Sequence, residues 1–137
     1  MRKLTLLLRV IGVVQLVLGA LYLFVPFTFL GVMGHSIPDA DIAYPLGMLA
    51  ARFLAYGMGM LYIAPEPEKH VFWINNMIFV QAIDLAVGIF YTATGAVDLR
   101  LSAFPMFNAT VFIILLLLWR PRGVSVDSSP QSLGSGD

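Results

Sequence analysis

Cysteine is absent from this chain, which excludes a structural disulfide, an iron–sulfur cluster and thiol chemistry carried by the chain alone. Charge is scarce. Only 12% of residues are Asp, Glu, Lys or Arg, against about 25% in soluble domains. Eight basic residues balance eight acidic ones, so no net positive field is available for nucleic acid. The two histidines, His35 and His70, fall in loops on opposite sides of the spans, so no pair across spans can ligate a haem. There is no Ser-His-Asp set, phosphate-binding loop, dinucleotide fingerprint or zinc-protease helix. With these types of centre missing, the chain is expected to be non-catalytic and to hold no cofactor and no metal.

What is abundant is apolar surface. Hydrophobic residues make up 59% of the 137, and the mean hydropathy is +0.87. A soluble domain this apolar would expose large hydrophobic patches, so the partner that covers it is expected to be the lipid bilayer. The length allows one domain. Four apolar stretches predict spans at about Val10 to Phe29, Leu46 to Ala64, Val71 to Thr92 and Phe104 to Trp119. The expected fold is all-α, an integral membrane four-helix bundle over residues 1–119. The remainder, 120–137, is rich in Ser, Gly and Pro and reads as a disordered cytoplasmic tail. The opening MRKLTLLLRVIGVV begins like a signal peptide, but its apolar run is too long and lacks a small-residue cleavage site, so it reads as a retained first span.

Lysine and arginine outside the spans fix an expected orientation. Arg2, Lys3, Arg9, Lys69, Arg120 and Arg122 share one side, with Arg100 alone on the other. The positive-inside rule then puts both termini in the cytoplasm, with Trp73 and Trp119 at the cytoplasmic interface.

The second and third spans carry the main chemical signal. They form a predicted hairpin turning near Glu68, and each holds one ionisable residue away from its ends, Arg52 and Asp84. Arg52 lies sixteen residues before Glu68 and Asp84 sixteen after it. In an antiparallel hairpin, equal distance from the turn means equal depth, so the opposite charges can pair. Pairing reduces the cost that either would carry alone in hydrocarbon. Arg52 stands about seven residues from the outer end of its predicted span, roughly 10 Å deep at helical rise, so the polar centre is expected in the outer half of the membrane. Tyr56 follows Arg52 by one turn on the same face, and Gln81 shares a face with Asp84. These four residues form the candidate site, either as a ligand anchor or proton relay, or as a structural lock on the hairpin's register.

Within the second span Gly47, Ala51, Ala55 and Gly59 recur every fourth residue. Such a small-residue stripe admits another helix at close range, in a larger membrane complex or a homo-oligomer. The first loop offers His35, Asp39 and Asp41 as the weak candidates for a metal site, imidazole and carboxylates suiting zinc, copper or iron. An aspartate following proline is more often a cap. Gln15, Gln81 and Asn108 read as interhelical hydrogen-bonding residues, worth about 0.6 kcal/mol each on average in a membrane.

With LRVIGVVQLVLGALYLFVP at the start, LAARFLAYGMGML in the second span and four short-looped spans with basic ends, the chain resembles the small four-helix bacterial membrane proteins of the DoxX-like and BphX-like kind. The resemblance covers about Arg9 to Arg122. It implies a compact bundle in the bacterial inner membrane, often encoded beside redox or aromatic-degradation systems, and some relatives are linked to thiol or quinone chemistry. The absence of cysteine departs from a thiol role, and no functional residue is carried over. The expected function is therefore an accessory subunit, or a binder of a small apolar ligand (quinone, lipid or aromatic compound) around a buried polar centre of Arg52 and Asp84. The alternative is a small proton-coupled transporter. Known four-helix transporters of that type use a glutamate of the first span, where this chain has Gln15.

Overall fold

The computed structural model describes residues 2–122. They are helical, with no strand among them: α1 (Arg2–Phe24), α2 (Pro26–Val32), α3 (Ala43–Ile63), α4 (Val71–Ala93) and α5 (Leu99–Trp119). Short 3₁₀ turns, Ala40–Ile42 and Pro67–His70, lead into α3 and α4. Four of the helices are long and apolar enough to cross a bilayer, and the protein is a multi-pass membrane protein with an all-α fold. Large apolar side chains such as Phe79, Phe90, Phe104 and Leu118 are exposed, as a surface solvated by lipid requires.

The span boundaries differ from the expected ones at both ends of the chain. The first helix starts at Arg2 and stops at Phe24, because Pro26 pushes the residue before it out of the helical region. Val25 has φ −136° and ψ 52°, and Pro26 then occupies the first turn of α2. Residues Gly31 and Val32, expected in a loop, belong to that short helix. The last helix starts at Leu99, five residues before the expected Phe104. The Asp98 carboxylate accepts from the Arg100 backbone N–H at 2.9 Å and caps it, and Pro105 is accommodated within the helix. Of the expected tail, Arg120 is tied down, donating from Nη1 to Asn75 Oδ1 at 3.0 Å. Residues 123–137 lie outside those described.

Packing divides the helices into two close pairs, α1 with α3 and α4 with α5, while α3 and α4 stand further apart. The α1–α3 pair is close because glycine meets glycine. A Cβ on Gly12 would lie 3.0 Å from the Gly57 carbonyl oxygen, and one on Gly57 would lie 2.9 Å from that of Gly12. Only two residues without side chains allow backbones this near. In the second pair the hydroxyls of Thr92 and Ser102 are 2.7 Å apart.

The apolar core collects at one end of the bundle. It is built from Leu4, Leu7, Leu8 and Ile11 at the start of α1, Met60 and Ile63 at the end of α3, Ile74 and Met77 at the start of α4, and Phe112 and Leu116 at the end of α5. Lys3 Nζ lies 6.0 Å above the Trp119 ring at the same end, within reach of a cation–π attraction. Towards the opposite end, buried positions thin out to small residues, Gly19, Ala50 and Ser102. The bundle is tight at the end that carries the N-terminus and loose at the other.

Candidate functional site

Arg52 and Asp84 meet across the α3–α4 seam. One guanidinium nitrogen, Nη2, donates to Asp84 Oδ1 at 3.2 Å and to Oδ2 at 3.1 Å. Equal distance from the turn does bring the charges to one level. Two features of the expectation need correction. Both side chains are 35% exposed, so the pair stands at the mouth of the seam and not inside a closed core. Arg52 is also nine residues from the start of α3 and eleven from its end, which is mid-height; the helix begins earlier than Leu46 because Ala43, Tyr44 and Pro45 form its first turn.

Below the pair, toward the tight end, the seam opens into a groove of about 570 Å³ lined by Ala55, Tyr56, Met58, Gly59, Tyr62, Ile63 and Trp73. Helical spacing aligns it with the pair. On α3, Ala55, Tyr56, Gly59 and Ile63 follow Arg52 by three, four, seven and eleven residues, and on α4 Trp73 precedes Asp84 by eleven. These are positions of one face, so the ion pair stands about one helical turn above the groove's lining residues, and Trp73 lines its lower end. A second bridge crosses between them, Asn76 Nδ2 donating to Tyr56 Oη at 2.9 Å. Tyr62 and His70 approach at the lower end, with ring centroids 5.8 Å apart.

Aromatic residues back the pair on its other side. The Arg52 guanidinium lies 5.1 Å from the Phe53 ring centroid. Phe53 stacks on Tyr22 of α1 at 5.8 Å, and Tyr22 meets Phe29 of α2 edge-on at 5.0 Å. The cation therefore sits between an aromatic face and a carboxylate, and both hold it.

The other expected site residues divide. Tyr56 belongs to the groove. Gln81 is buried with 4% exposure on the face of Asp84, but its amide turns back one helical turn and donates to Met77 Sδ at 3.5 Å, so it does not join the ion pair. Gln15 is equally buried on α1. His35, Asp39 and Asp41 are not brought together: no cluster of three or more such ligands exists among the described residues. Asp39 instead precedes the 3₁₀ turn, its carbonyl accepting from Ile42 N–H at 3.1 Å.

Among the described residues, no helix packs against the stripe of Gly47, Ala51, Ala55 and Gly59. A Cβ on Gly47 or Gly59 would meet nothing within 4 Å, and Ala51 and Ala55 are exposed. The glycine that admits α1 is Gly57, off that register. What Ala55 and Gly59 do here is hollow the groove wall. Asn76, Trp73, Met58, Tyr62 and Ile63 are site residues that sequence reasoning missed; an Asn75–Asn76 pair inside an apolar span was the available signal for the first.

Chemically the seam offers hydrogen-bond donation from a guanidinium, a phenol–amide bridge, aromatic walls and apolar volume. Comparison of the chain with protein-family models, with curated proteins and with solved structures finds no match in any of the three.

Proposed function

We infer that this is a non-catalytic inner-membrane protein that holds a small apolar molecule in the α3–α4 seam beneath Arg52 and Asp84. The observation that carries this reading is the groove of about 570 Å³ aligned with the ion pair. Its size and make-up, apolar and aromatic walls with few polar groups, are those of small-molecule sites. The resemblance to DoxX-like and BphX-like bundles agrees with an inner-membrane location and with quinones, lipids or aromatic compounds as the ligand class. Native-lipid extraction followed by mass spectrometry tests the reading: one small molecule should co-purify with the wild-type protein. Gly59→Phe should remove it while leaving the unfolding midpoint unchanged, because a side chain at that position has open space to enter. Turnover of a substrate by the isolated chain would contradict a non-catalytic role.

A second reading, an accessory subunit or homo-oligomer, is favoured by the uncovered face of Gly47, Ala51, Ala55 and Gly59. The two readings compete for Ala55 and Gly59, so a partner helix there would displace the ligand. A proton-coupled transporter would need Asp84 to exchange protons, whereas both of its oxygens accept from Arg52.

In this reading both termini are cytoplasmic, from the bias of Lys and Arg. Reporter fusions after Arg122 and within the loop around Ser36 should report opposite compartments; the same compartment for both would overturn the topology.

A further inference from the structure

We propose that the occupant of the α3–α4 groove is an uncharged, flat molecule whose carbonyl oxygen accepts hydrogen bonds from the free edge of Arg52. The inference rests on the ligand-binding reading above and narrows it to one chemical class. A guanidinium has five N–H donors. Arg52 directs Nη2 at Asp84, and its Nη1 and Nε find no acceptor among the described residues. Donors left bare at mid-height in a bilayer are costly, because hydrocarbon supplies no acceptor. Arg52 is one-third exposed and precedes Ala55 of the groove lining by three residues, so a ligand that reaches up one turn from the groove can supply that acceptor.

The charge of the site selects the ligand's charge. Arg52 and Asp84 already cancel, so a bound carboxylate or phosphate would leave a net negative charge in the middle of the membrane, where any uncompensated charge is penalised. A carbonyl satisfies the same donors and leaves the site neutral. Depth excludes the ester groups of ordinary phospholipids. They lie at the edge of a hydrocarbon core about 30 Å thick, whereas Arg52 lies near the middle of α3. The molecule must then be a free lipophile. Tyr56, Tyr62 and Trp73 on the groove wall suit a ring system, since aromatic faces stack on one another.

The chain has two tryptophans, so Trp119→Phe leaves Trp73, at the foot of the groove, as the sole donor for energy transfer to a bound pyrene. In nanodiscs, with empty discs subtracted, transfer should saturate at about tenfold lower concentration for 1-acetylpyrene than for 1-isopropylpyrene, the discrimination expected of a hydrogen bond to a charged donor. In Arg52→Leu/Asp84→Leu the two probes should become equal, at the affinity of 1-isopropylpyrene for the unaltered pair. Equal affinities with the pair intact would overturn the carbonyl contact and leave the groove standing. Tighter binding of 1-pyrenecarboxylate than of the ketone would overturn the neutrality argument. If no pyrene shows saturable transfer, the groove reading itself fails along with this inference.

Discussion

Asp84→Leu should destabilise the protein more than Arg52→Leu, although the two changes break the same contact. Without Asp84, the arginine keeps its charge, because a guanidinium does not deprotonate in proteins. It must stay ionised at mid-height of α3 or drag its head toward an interface. Without Arg52, the carboxylate can take up a proton and become neutral. What remains is a polar group short of partners, a loss of about 1–3 kcal/mol. Unfolding titrations in mixed micelles should rank the variants wild type, Arg52→Leu, Asp84→Leu in falling stability. The reverse order would mean that Asp84 depends on Arg52 and not Arg52 on Asp84.

The second large effect belongs to the α1–α3 contact. Gly57→Leu places a side chain where Leu16 Cγ and the Gly12 carbonyl oxygen already lie 2.8 and 2.9 Å from a Cβ. The leucine can move aside, but the backbone oxygen cannot without separating the helices. Overpacking of this kind costs about 1–3 kcal/mol, and here it also splits the tightest pair in the bundle. Gly47→Leu is the matched control. It adds the same side chain to the same helix where nothing lies within 4 Å, so the unfolding midpoint should hold or rise slightly through better helix propensity. Equal losses for the two variants would refute the assignment of Gly57, and not the regular stripe, as the residue that admits α1.

These two cases mark where the sequence was legible. Opposite charges at equal distance from a turn encode their own meeting, so Arg52 and Asp84 could be paired from position alone. Apolar length likewise encodes the four spans. The stripe from Gly47 to Gly59 misled because periodicity reports that a face is smooth, not whether anything lies against it. That depends on how far apart α3 and α4 stand, which no single helix encodes. Gly57 was hidden for the same reason, since its use rests on Gly12 facing it from α1. Boundaries failed at Val25 and Asp98, where one local effect, the residue before proline or a cap, outweighed the hydropathy average. Gln81 was placed on the right face, yet its amide chose Met77 over the ion pair, a choice of rotamer that spacing cannot settle.

The most direct test of the account is the coupling free energy between Arg52 and Asp84, measured by a double-mutant cycle in a lipid environment. The account holds that the ion pair bridges the seam beside the Asn76–Tyr56 hydrogen bond, so Arg52→Leu/Asp84→Leu should be more stable than the sum of the single losses predicts. The coupling should exceed the roughly 0.6 kcal/mol average for polar contacts between membrane helices, and the double variant should recover much of the loss of Asp84→Leu, since replacing both members of such a pair with apolar residues is often neutral. Single changes that are harmless and simply additive would show that the two residues do not act together, and the account of the seam would fail.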